Sequence, residues 1–81
     1  MPQKALQILE ELHKRFPDML FAWLDNLWHF GDTTPCTLRI SFRENPNKKM
    51  DIEFEQGIAD MTIDSLAEEG IKHNAIPILK Q

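Results

Sequence analysis

Two runs of strict alternation, residues 36–43 and 50–55, constrain this chain more than anything else in it. Cys36, Leu38, Ile40 and Phe42 alternate with Thr37, Arg39, Ser41 and Arg43, and Met50, Ile52 and Phe54 alternate with Asp51, Glu53 and Glu55. A period of two sends successive side chains to opposite sides of an extended chain, so each run is a strand with one apolar and one polar face. Between them Asn45-Pro46-Asn47-Lys48 has the chemistry of a turn. The two runs therefore form a β-hairpin. Matching their apolar faces sets Arg39 and Arg43 against Asp51, Glu53 and Glu55, where opposite charges across the strands support the register. One face is core and the other is solvated charge.

The chain has 81 residues, enough for one domain with one thin core, since folding at this size buries only about 60% of the unfolded surface. With 42% hydrophobic and 27% charged residues it has the composition of an ordinary soluble domain, which disfavours disorder, collagen-like repeats and a disulfide scaffold. Cys36 is the single cysteine, so no internal disulfide forms, and a reducing, cytoplasmic setting is expected. Residues 1–16 mix Lys4, Lys14 and Arg15 with Glu10 and Glu11, unlike a signal peptide. The longest apolar run, residues 19–24, stops at Asp25, far short of the ~20 residues of a membrane helix.

Residues 3–16 read as an amphipathic helix, with Ala5, Ile8, Leu9, Leu12 and Phe16 on one side and Glu10–Lys14 and Glu11–Arg15 as pairs four apart. Residues 17–30 are expected as a second helix. Pro17 suits its first turn, Asp18 the positive end of its dipole, His29 its last turn and Gly31 its end. Such a helix is apolar nearly all round and must be buried nearly all round. A hairpin competes with it, with strands over 20–24 and 27–30 turning at Asp25-Asn26. Farther on, Ile63, Leu66 and Ala67 predict a short helix within residues 60–69, stopped by Gly70. Residues 75–79 are expected as an edge strand, where Pro77 is tolerable because its missing N–H faces outward. The expected fold is thus a single α+β domain over residues 1–81: two N-terminal helices, a β-hairpin, a short helix and a C-terminal edge strand.

No catalytic motif emerges. Cys36, His13, His29 and His73 lack the close spacing of zinc ligands, and Cys36 falls on the inward side of its strand, where a free cysteine behaves as a small hydrophobe. The carboxylates Asp51, Glu53, Glu55, Glu68 and Glu69 are explained by solvated surface, whereas acid–base catalysis needs unlike environments within a cleft. Gly31, Gly57 and Gly70 stand apart, so no glycine-rich phosphate loop exists. No cofactor, metal or small-molecule substrate is expected. Two helices before a hairpin suggest a winged helix-turn-helix, yet the second predicted helix carries Asp18, Asp25 and Asn26, and the net charge is −4. Nucleic-acid binding is therefore disfavoured, leaving only the hairpin tip with Arg43, Lys48 and Lys49 for phosphate.

What remains is the aromatic excess of Phe21, Trp23, Trp28 and Phe30 within ten residues, residue types enriched at the centres of protein interfaces. The leading expectation is a non-catalytic interaction module that binds a partner protein or itself, as a homodimer, through an aromatic helix anchored by Phe21, Trp23, Leu27 and Trp28. A plain core role for the same residues competes with it. The alternative function is an acidic inhibitor of the anti-restriction or anti-CRISPR kind, competing with nucleic acid for a basic groove through Asp51, Glu53 and Glu55.

Overall fold

The computed structural model describes residues 3–25 and 31–81. Helix α1, Gln3–Arg15, buries Ala5, Ile8 and Leu12, the side expected from their spacing. Of the two ion pairs anticipated on it, Glu11–Arg15 forms at 4.0 Å, while Lys14 turns to Glu11 at 3.6 Å and not to Glu10. Both are exposed helix pairs of small energetic weight. A turn at Pro17-Asp18, in which the Met19 N–H donates to the Phe16 carbonyl at 3.1 Å, then leads into strand β1.

The second expected helix does not form. Met19–Trp23 is β1, and it pairs antiparallel with β2, Cys36–Phe42, which pairs in turn with β3, Lys49–Phe54. Met19, Phe21 and Trp23 point into the core while Leu20 is half-buried and Ala22 exposed, so the run follows a period of two. Pro17 and Asp18, which suit a helix start, equally suit a turn, and five uncharged residues beside a preformed hairpin gain a full ladder of backbone hydrogen bonds by extending. The second arm of the alternative hairpin, residues 27–30, lies outside the described residues. The β2–β3 hairpin forms with its apolar faces matched, Cys36 opposite Phe54, Leu38 opposite Ile52 and Ile40 opposite Met50, and with Arg39 opposite Asp51. Arg43, expected against the same carboxylates, lies beyond the last pair and donates to the Pro17 carbonyl instead.

The C-terminal region is also corrected. Helix α2, Ile63–Ser65, is capped by the Thr62 hydroxyl, which accepts from the Ser65 N–H at 3.1 Å. A π-wound segment, Leu66–Ala75, follows it and runs into α3, Ile76–Leu79. Gly70 does not stop this helical stretch, because the stop requires a left-handed residue and Gly57, at φ 77°, is the one glycine described with positive φ. Nor does the edge strand over 75–79 form: Leu66, Ala67, Ile71, Ala75 and Leu79 are all buried and continue the helical row begun by Leu66 and Ala67. Pro77 sits just past the join of the π-wound segment and α3, where it withdraws one N–H from a continuous helical stretch. Upstream, the wider winding lets the Ile76 N–H bond the Ile71 carbonyl five residues back.

A single core joins these elements. It comprises the buried residues of α1, the inward side chains of β1 and β2, Ile58 and the buried row of the C-terminal helical stretch. Trp23 is tied to α1 through its indole N–H, which donates to the Ala5 carbonyl at 3.0 Å, and its ring meets Phe54 edge-on at 6.0 Å. Arg15 of α1 bonds Asp64 of α2 at 2.7 Å. Among the described residues the helices cover one face of the sheet and leave much of the other exposed.

Candidate protein-binding face

The exposed sheet face is ordered by register. Leu20, Ala22 and Leu24 lie on the β1 side, Thr37 and Arg39 half-buried and Ser41 buried along β2, and Lys49, Asp51 and Glu53 along β3. It runs from an apolar margin, where Leu24 is 45% exposed, to a charged one. Across its centre the Arg39 guanidinium grips Asp51 with both arms, Nε to Oδ1 at 2.9 Å and Nη2 to Oδ2 at 3.0 Å. This hydrogen-bonded guanidinium holds the Asp51 carboxyl below its usual range. Because the folded value is depressed, the stabilisation it carries is full above the ordinary value of 3.8 and is lost as pH falls through the lowered one. Asp51→Asn should therefore flatten this part of the acid limb, seen as a smaller loss of the unfolding midpoint over roughly pH 5 to 2.

Glu53 and Glu55 are exposed, and among the described residues neither takes part in an ion pair. With Asp25, Cys36, Thr37 and Phe54 they line a shallow groove of about 130 Å³ at the end of the hairpin. The sequence places Asp25 within the expected second helix. Instead it follows β1 and accepts the Thr37 N–H at 2.6 Å, completing the ladder where β1 ends. Its charge and, more strongly, burial push the Cys36 thiol up to about 11. The thiol is thus protonated at neutral pH and a poor nucleophile. An aromatic disulfide reagent added to the folded protein should react with Cys36 only as fast as the chain unfolds, and at once in denaturant; rapid reaction in the native state would contradict this placement.

The proposed aromatic anchors fare differently. Phe21 is 6% and Trp23 9% exposed, both turned into the core, so within this chain they form the underside of the sheet and not a surface. Leu27 and Trp28 lie outside the described residues. The basic hairpin tip is partly tied down: Arg43 Nε donates to the Pro17 carbonyl at 3.2 Å and Lys48 Nζ to the Gln81 carbonyl at 2.7 Å. Among the described residues no three His, Cys, Asp or Glu side chains group as metal ligands, and no helix is long and apolar enough to cross a membrane.

Two further grooves escaped sequence reasoning because each joins distant segments. The larger, of about 390 Å³, is lined by Phe16, Met19 and Phe42 with charges of both signs, Arg15, Asp18 and Glu44, around it. The other, of about 270 Å³, lies between β3 and the π-wound segment and is lined by Ile52, Phe54, Met61 and Leu66, with Glu69 and Asn74 beside them. No family model matches the chain, and neither a curated protein nor a solved structure does.

Proposed function

We propose that this chain is a non-catalytic protein-interaction module of a reducing, cytoplasmic compartment. Its working surface is the open sheet face and in particular the β3 side. The observation that carries this is the placement of Asp51 and Glu53 on the solvent-facing side of β3 with Glu55 just past its end, the two glutamates without ion-pair partners among the described residues. Unpaired charges on a rigid strand steer a partner and set its register more than they add to affinity. The partner is another protein or a second copy of this chain. Charge reversal at Glu53→Lys with Glu55→Lys should abolish capture of a partner while leaving the fold intact, because both side chains are exposed. Solution mass by size-exclusion chromatography with light scattering, at low and high salt and over a wide concentration range, identifies self-association. A monomer whose capture of its partner is untouched by the double reversal would sink this assignment of the surface.

A second reading is favoured by the groove that brings Asp25 together with Glu53 and Glu55: an acidic inhibitor that competes with nucleic acid for a basic groove. Single-signed charge of this kind makes association steeply salt-dependent. Displacement of the partner's bound nucleic acid by this protein separates the two readings. Nucleic-acid binding by the hairpin tip itself is supported least, since Arg43 and Lys48 already donate to backbone carbonyls.

A further inference from the structure

Antiparallel pairing fixes which backbone groups of β3 are spoken for. The Leu24 N–H donates to the Thr37 carbonyl at 3.1 Å and the Arg43 N–H to the Asp18 carbonyl at 2.9 Å, so the odd-numbered residues of β2 face β1. Backbone direction alternates along a strand, and the even-numbered residues of β2 therefore face β3 and bond Met50, Ile52 and Phe54 through the observed register. The N–H and C=O groups of Lys49, Asp51 and Glu53 point away from the sheet, along an edge that no described strand occupies. Directly beneath this edge lies the 270 Å³ groove, whose walls are the half-buried Ile52 and Phe54 of β3 and Met61 and Leu66 opposite. Gly70 keeps its floor low, for a Cβ there would stand 3.0 Å from Leu66 Cδ1. A groove with apolar Ile52, Phe54, Met61 and Leu66 and polar Ser65, Glu69 and Asn74, a row of backbone groups without partners among the described residues, and the side chains of Lys49, Asp51 and Glu53 thus run side by side.

We infer that β3 accepts an extended peptide segment as a fourth antiparallel strand, one in which lysine or arginine alternates with aliphatic residues. Such an alternation sends one set of side chains to each face. The aliphatic set drops into the groove beside Ile52 and Phe54, and the basic set stands next to Asp51 and Glu53, with Glu55 at the strand's end, on the outer face. Main-chain hydrogen bonds supply affinity and the two side-chain rows supply specificity. Charge points to a basic occupant, because Glu53 and Glu55 are exposed and take part in no ion pair among the described residues; a second copy of β3, which could set its Lys49 against Glu53, is an outcome of the test. The inference rests on the interaction-module reading and names the binding mode of the same surface.

The test uses the full chain and synthetic peptides of alternating Lys and Val, titrated by fluorescence anisotropy. Three comparisons are made: N-methylation of the amides on one edge of the peptide, N-methylation on the other edge, and the same composition rearranged into a lysine block and a valine block. One N-methylated series should lose binding by roughly ten-fold for each bond removed while the other retains it, and the block peptide should bind weakly. Glu53→Lys should weaken the alternating peptide by roughly five- to ten-fold. Equal binding of both N-methylated series and the block peptide would overturn strand addition and leave a simple acidic docking face, with the module reading intact. Dimers that form through β3 in place of peptide binding, or no binding by any peptide, would also overturn it; the module reading is then judged by the partner-capture and solution-mass measurements.

Discussion

Gly57→Ala should cost the folded state about 3 kcal/mol or more, combining left-handed strain with a backbone collision. Gly57 follows β3 at φ 77°, and a Cβ there would overlap the Asp32 carbonyl oxygen and approach Thr33 Cα and C to 2.7 Å. Neither neighbour gives way cheaply. Asp32 O accepts the N–H groups of Ile58 at 2.7 Å and Ala59 at 2.9 Å, so moving it breaks the joint between the loop before β2 and the loop after β3. Ile58, fully buried, is held in place by the same joint. For a domain of this size total stability is on the order of 4–12 kcal/mol, and the substitution should lower Tm by more than about 10 °C. Chemical denaturation monitored by tryptophan fluorescence measures it. A loss below about 1 kcal/mol would mean that the loops rearrange freely, and that this close approach does not organise the fold.

Leu38→Ala is expected to be of comparable size, about 2–5 kcal/mol. Leu38 is 0% exposed at the middle of the central strand, with Trp23 on one side and Ile52 on the other. Removing its isopropyl end opens a cavity among backbones held on both sides by strand pairing, which can collapse little. Leu24→Ala provides the contrast: at 45% exposure it should change stability by less than about 1 kcal/mol. Urea unfolding of both variants checks the ordering. Equal losses would show that Leu24 is covered in solution, and would redirect attention to the apolar margin of the outer face as an interface.

The parts of the molecule that were legible in the sequence are those whose periodicity is local. The β2–β3 hairpin needed only its two alternating runs and an Asn-Pro-Asn turn, and α1 needed only its three- and four-residue apolar spacing. The candidate acidic strand was legible for the same reason, since alternation places Asp51, Glu53 and Glu55 on one face whatever else the chain does. The groove beneath β3 was not. Its walls come from residues 52–54 and 61–74, and nothing in either segment reports the other. Asp25 as a cap on the β1–β2 ladder was likewise hidden, because its partner is the backbone of Thr37, twelve residues away.

By itself, then, the sequence determined a single α+β domain with an amphipathic first helix, a charged and apolar hairpin, and an inward cysteine. Only tertiary structure decided the fate of residues 19–23 and of the C-terminal stretch. A short run that is apolar on every side satisfies a buried helix and a strand equally well, and the open edge of β2 tipped it toward a strand. Gly70 and Pro77 look like breaks when seen locally. Packing of Leu66, Ala67, Ile71, Ala75 and Leu79 against the sheet outweighed both, since burying a continuous apolar row contributes more than the roughly 1 kcal/mol that a helical glycine costs.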